Sequence, residues 1–323
     1  MRQKLLAPVT LAVLLLAAPA VARADGLPAG TNADPGGITT PSSDANFFVA
    51  PAGRGTIVGR VAKRGGRLAD SVYLDRPFAM PAVAFDGTPG GLSAGGGTLV
   101  LIRPRARFPQ RSTVLAVVDG QHLYMRKTVR LRGDFSFDAL SPDGRRLYLI
   151  QYLSRRDPTR YAVRSYDLRA ERLDPGPIVD AREPDEDMSG LPLTRATSAH
   201  GRWAYTLYDG GEHRFVHALD TVRRRAFCID LPAISNDDLL NVRLDLAAGG
   251  RSLAVTRRGA RLALIDTRTF EVSRPARPRS AARASGGDPG PPWGLIGIGL
   301  AAALLAAAAA LAARRRNRIP ARA

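Results

Sequence analysis

Leu140-Ser-Pro-Asp-Gly-Arg-Arg-Leu-Tyr-Leu-Ile150 is a tight polar turn that runs straight into an aliphatic strand, and the chain repeats it. Further copies read Leu92-Ser-Ala-Gly-Gly-Gly-Thr-Leu-Val-Leu-Ile102, Thr197-Ser-Ala-His-Gly-Arg-Trp-Ala-Tyr-Thr-Leu207 and Leu246-Ala-Ala-Gly-Gly-Arg-Ser-Leu-Ala-Val255. The shared glycines, Gly96, Gly144, Gly201 and Gly250, are 48, 57 and 49 residues apart. Self-similarity at this period, with one supersecondary unit per copy, is the signature of β-propeller blades.

Each copy divides into short runs rich in Val, Leu, Ile and Tyr separated by Gly and Asp turns. The second copy predicts strands at Phe135–Leu140, Arg146–Tyr152, Tyr161–Leu168 and Pro177–Asp180. The third predicts Leu193–Thr197, Trp203–Tyr208, Phe215–Asp220 and Ala226–Asp230, and the fourth Val242–Leu246, Ser252–Thr256, Leu262–Asp266 and Phe270–Ser273. Every third strand closes on or beside an aspartate, namely Asp119, Asp167, Asp220 and Asp266. A carboxylate there caps the following turn by accepting from nearby backbone amides, which is a structural role.

The second copy resembles the core of the WD40-like PD40 and YVTN-type propeller repeats. The run from Ala248-Gly-Gly-Arg-Ser-Leu-Ala-Val to Leu264-Ile-Asp-Thr-Arg-Thr-Phe-Glu-Val272 is similar to the YVTN pattern, in which a turn and strand precede Val-Ile-Asp-Thr and a Thr-Gly-Glu-Val turn. The resemblance covers about Pro81 to Ser273 and departs from the pattern where Ala94, Ala199 and Ala248 replace the proline. It implies the fold and carries over no activity. The expected fold is all-β, a propeller of four to five blades over 55–273. Thr56–Val61 with Ser71–Leu74 reads as an extra hairpin, either an incomplete fifth blade or the closure of a four-bladed ring.

The two ends speak to location. Residues 1–24 place Arg2 and Lys4 before an apolar run, Leu5 to Ala18, and end on Ala22-Arg23-Ala24, the order of a cleavable signal peptide. Trp293 to Ala313 is 21 residues without a charge, followed by Arg314-Arg315-Arg316. At about 1.5 Å per residue that length crosses a bilayer core, and the arginines hold the C-terminus in the cytoplasm. The ten residues 314–323 form a short basic tail too small for an effector domain. Between these ends, 25–54 is rich in Gly, Pro, Ser, Thr and Asn and reads as a flexible leader, and 274–292 as a Pro/Gly stalk. The expected location is therefore the cell membrane, single-pass, with the N-terminal domain outside.

The formal net charge of +18 invites a nucleic-acid reading that the distribution weakens. Of 47 basic residues only Lys4, Lys63 and Lys127 are lysine, as in a high-GC bacterial genome. Three leave with the signal and five lie in the tail, so the exported part carries 39 basic against 29 acidic side chains. An exported chain also has little access to genomic DNA, so no nucleic-acid partner is expected. The single cysteine, Cys228, excludes an internal disulfide and reads as a small buried hydrophobe in a strand.

Because strands in a blade alternate direction, second-to-third-strand loops and inter-blade loops share one face. These loops carry Arg103, Arg105, Arg107 and Arg111, then Arg155, Arg156 and Arg160, then Arg257, Arg258 and Arg261. The third copy departs with Asp209-Gly-Gly-Glu-His213. The segment 180–187 adds five carboxylates, Asp180, Glu183, Asp185, Glu186 and Asp187. This pattern predicts a charged binding face for a protein, lipid headgroups or an anionic envelope polymer. The bland alternative is a set of solvated loops in an arginine-biased chain.

Metal and catalytic signals are thin. His213 and His217 share a strand but lack the further ligands zinc needs, the acidic segment lacks calcium-loop spacing, and no G-x-S-x-G, H-E-x-x-H or P-loop occurs. No cofactor or metal is expected. The competing reading is a lactonase- or hydrolase-like enzyme with a polar site in the central channel, lined by Asp138, Arg195 and Asp245.

Overall fold

The glycine turn sets the geometry of each repeat. Gly96, Gly144, Gly201 and Gly250 all adopt φ between 66° and 73°, the left-handed region. Each donates its N–H to the carbonyl three residues back, at 2.7 or 2.8 Å. Ser93, Ser141 and Ser198 then accept through Oγ from the first amide of the next strand, at 2.9–3.0 Å, so the turn is closed twice. The fourth copy has Ala247 there and lacks the second bond.

The computed structural model describes residues 37–274 except 186, 187, 212, 233, 236 and 237. Five antiparallel sheets follow in chain order. The first holds β1 (Ala45–Ala52), β2 (Gly55–Ala62) and β3 (Leu68–Leu74); the second, β4 (Thr98–Ile102), β5 (Ser112–Asp119) and β6 (Met125–Arg132). The third holds β7 (Phe135–Leu140), β8 (Arg146–Tyr152), β9 (Tyr161–Asp167) and β10 (Arg172–Leu173). The fourth holds β11 (Leu191–Thr197), β12 (Trp203–Asp209), β13 (Arg214–Asp220) and β14 (Arg225–Asp230). The fifth holds β15 (Val242–Leu246), β16 (Ser252–Arg257), β17 (Ala260–Asp266) and β18 (Val272–Ser273). Short bridges, Ile38 to Phe47 and Leu92 to Leu99, supply the innermost position of the first two sheets.

The aliphatic runs are continuous because the middle sheets are covered on both faces. Successive side chains point to opposite neighbours. Leu147 and Leu149 pack with Val100, Leu115 and Val117 of the second sheet, while Tyr148 and Ile150 pack with Ala204, Tyr208 and Leu219 of the fourth. The first and second sheets join through Phe47, Val58, Leu99 and Leu101, and the fourth and fifth through Tyr205, Leu207, Leu253, Val255 and Ile265. Among the described residues no core cluster joins the fifth sheet to the first.

The four aspartates behave as the sequence predicts. Oδ1 of Asp119, Asp167, Asp220 and Asp266 each accepts two backbone amides, two and three residues on, at 2.8–3.1 Å. The residue four after each one, Leu123, Glu171, Arg224 or Phe270, takes positive φ to complete the turn.

Three expectations change. The leader does not extend to residue 54, because Ile38 already pairs with Phe47 and β1 spans Ala45–Ala52, with Phe47 buried. Pro41-Ser-Ser-Asp44 is this sheet's own entry turn, so the extra hairpin is a sheet in its own right. The outer strand of the third sheet pairs first at Arg172–Leu173, and Ile178 rejoins β9 by donating to the Val163 carbonyl at 2.8 Å. The signal peptide, the membrane span at 293–313 and all of the stalk but Arg274 lie outside the described residues. Among those described, no helix is long and apolar enough to cross a membrane.

The turn glycines differ in surroundings, which makes a test. A Cβ on Gly250 meets nothing within 4 Å, so Gly250→Ala should cost only left-handed strain, about 1 kcal/mol. A Cβ on Gly144 runs into the Thr98 side chain of the neighbouring sheet, so Gly144→Ala should cost about twice that or more. Urea unfolding of the two variants checks the ranking.

Candidate functional site

The loop face is organised by one buried carboxylate. Asp134, in the short connection between β6 and β7, is 5% exposed. Its Oδ1 accepts from Arg105 Nε and Nη2 at 3.1 and 2.7 Å, and its Oδ2 from the Gln110 backbone N–H at 2.8 Å. Arg105 also donates to Ser136 Oγ at 3.1 Å and lies 5.2 Å over the Tyr152 ring. Phe108 meets the same ring edge-on at 5.5 Å. Burial pushes the Tyr152 phenol up to about 12, so it stays neutral and bonded to Ser136. Arg105, predicted as a binding residue, is thus a structural pin for the β4–β5 loop.

Over this floor lies a groove of about 740 Å³ lined by Arg107, Arg111, Arg132 and Arg155, with Phe108 and Leu153 as its apolar wall. A second hollow of about 270 Å³ shares Arg107 and Arg111 and adds Arg103. Arg107 and Arg111 of the β4–β5 loop and Arg155 of the β8–β9 loop thus line one groove. It adds Arg132, which no loop motif marks because it ends a strand. Arg156 is exposed on the same β8–β9 loop, while Arg160 is tied into a bridge with Ser189.

Arg257 and Arg258 sit on the fifth sheet and do not line the groove; Arg258 pairs with Asp238 at 2.9 Å. The acidic segment is a separate feature. Asp180 is buried, and its carboxylate holds Arg182 and accepts the Cys228 N–H at 2.8 Å. Burial would raise its pKa, but these bonds outweigh it and hold the carboxyl below the usual range. Asp180 thus ties the inter-sheet segment to β14 and is not a free binding group. Glu183 and Asp185 are exposed, and Glu186 and Asp187 lie outside the described residues.

Cys228 is half-buried beside carboxylates, not sealed in a core. The ligand atoms of Asp180, Glu183 and Cys228 lie within 4.8 Å of one another. Arg182 already occupies the cation position at Asp180, which argues against a metal there. His213 and His217 do not act as a pair: His213 is half-exposed, and His217 is buried against Tyr208.

The inner strands surround a second cavity of about 460 Å³, lined mainly by apolar side chains such as Ile38, Val83, Leu92 and Phe137. Asp138 and Arg195 both line it, and each is more than nine-tenths buried. They form an ion pair, and Arg195 Nη1 also donates to the Asp138 carbonyl at 3.0 Å. Asp245 does not join them; it is exposed on the fifth sheet and accepts from Thr256 Oγ1 at 2.8 Å. Among the described residues, no nucleophile and base converge here.

No family model matches this chain, and no curated protein matches it. Solved structures do. A hydrazine synthase of Kuenenia stuttgartiensis aligns at 18% identity over 76% of this chain and 67% of its own, with a TM-score of 0.45. TolB from Acinetobacter baumannii aligns at 14% identity over 71% of this chain and 56% of its own, with a TM-score of 0.35. A putative 6-phosphogluconolactonase from Bacteroides uniformis aligns at 15% identity over 75% and 70%, with a TM-score of 0.41. Such values carry no functional argument; the propeller-type architecture rests on the five sheets themselves.

Proposed function

We propose that this chain is a binding module of the bacterial cell envelope, held outside the membrane by its C-terminal span, that uses the loop face of its second and third sheets. One observation carries the binding site: Arg107, Arg111, Arg132 and Arg155 line a single groove. The location rests on the sequence of the two ends. Partners of fitting chemistry are a protein or an anionic envelope polymer.

The test is capture of envelope material by the detergent-solubilised full chain. Neutralising the four groove arginines to glutamine should abolish capture, whereas Arg257→Gln with Arg258→Gln should leave it intact. Equal capture by all three proteins would sink this reading.

The enzyme alternative has the central cavity in its favour. Its charged pair is spent on itself, so the cavity supplies a ligand-sized apolar space without an evident acid or base.

A further inference from the structure

We infer that the groove between the second and third sheets takes a linear phosphodiester polymer, of polyol or sugar phosphates. This inference rests on the binding-module reading and names its ligand.

Several guanidiniums away from the groove hold carboxylates: Arg126 with Asp119, Arg146 with Asp167 and Asp174, Arg182 with Asp180, Arg202 with Asp220. Among the described residues, Arg103, Arg107, Arg111, Arg132 and Arg155 make no side-chain hydrogen bond or ion pair. Five like charges left together on one surface cost folding energy, and an anion relieves that cost. The groove's one lining acid, Asp134, is consumed by Arg105. Asp157, two residues after Arg155 on the β8–β9 loop, is turned onto Thr159, from whose N–H and hydroxyl it accepts.

Shape and direction narrow the ligand. Arg107 and Arg111 come from the β4–β5 loop, Arg132 from the end of β6, and Arg155 from the β8–β9 loop. Donors arriving from three chain segments suit a tetrahedral oxyanion, which accepts in several planes, better than a flat carboxylate. The two hollows share Arg107 and Arg111, so the cationic track continues past one phosphate towards Arg103. A concave track fits a strand-like polyanion better than a flat bilayer. Phe108 and Leu153 (55% exposed) offer apolar contact to the carbon backbone between phosphates. The Arg105–Asp134 pin holds the loop in place beforehand, which lowers the ordering cost of binding.

The probe is soluble inorganic polyphosphate, titrated against the full chain in a neutral detergent. Binding should weaken steeply with salt. Arg107→Gln and Arg155→Gln should each weaken it about tenfold, the loss expected for one charge-assisted contact. Each should also reduce the slope of log affinity against log salt by about one. Arg257→Gln should change neither.

Two further arms use polyglutamate and vesicles of phosphatidylglycerol. Equal affinity for polyglutamate would overturn the phosphate assignment, and binding to vesicles without binding to soluble polyphosphate would make a membrane surface the ligand instead. If no polyanion binds while groove-dependent capture of envelope protein persists, this inference falls and the module reading stands. Unchanged affinity in both groove variants would place the polyanion elsewhere.

Discussion

Between pH 6.5 and 4 the folded state should lose about 3 kcal/mol of stability through His217 alone. His217 lies on β13, 2% exposed, with its ring edge to Tyr208 at 6.2 Å. Burial, the largest influence, drives its pKa down from 6.5 to about 4; the carboxylate of Asp138 works upward and Arg195 downward. A depressed histidine stays neutral in the fold while the unfolded chain takes up a proton below 6.5. Its contribution is therefore fully present above 6.5 and is lost as pH falls towards 4.

Urea unfolding across that range should show the slope in the native protein and its absence in His217→Gln. A His217→Gln protein that loses stability just as steeply would assign the acid sensitivity elsewhere. Asp119 titrates below this window. Burial works to raise its pKa, but the amides of His122 and Gln121 and the Arg126 guanidinium outweigh burial and hold it at about 2. Its contribution is present above about pH 4 and is lost as pH falls towards 2. The two regimes should separate in one pH series.

Breaking the Asp138–Arg195 pair should be the most damaging single change away from the glycine turns. Both side chains are less than 5% exposed, at the inner edges of the third and fourth sheets. Removing one partner strands a charge in a cavity wall, a cost of about 3–5 kcal/mol. Arg195→Met and Asp138→Leu should each reach that range in chemical unfolding. The double variant should recover most of it, because an apolar pair matches the cavity lining. A double variant as unstable as the sum of the singles would show that the pair adds stability beyond mutual neutralisation. Asp138→Leu should also push the His217 titration lower still, since it removes the carboxylate that most favours the imidazolium.

Much of the fold can be read along the chain. The predicted limits of Arg146–Tyr152 and Val242–Leu246 coincide with β8 and β15, because the Gly turn and the alternating core positions are local signals. The aspartate turns are legible for the same reason: donor and acceptor are two or three residues apart. Two strands of the first sheet are legible as a hairpin, but its first strand is hidden by composition, since Thr39-Thr-Pro-Ser-Ser-Asp44 looks like linker until Ile38 and Phe47 are seen to pair.

The site divides differently. That the β4–β5 and β8–β9 loops leave their sheets in the same sense follows from strand alternation, which sequence spacing alone determines. Which of their arginines are free does not. Arg105 is claimed by a carboxylate 29 residues away, Asp180 by its own neighbour and by an amide 48 residues on, and Arg132 enters the groove only because β6 ends there. Local hydrogen bonds and a two-residue period are written in the chain. Charge pairing across sheets depends on which strand ends meet in space, and only the packed sheets decide that.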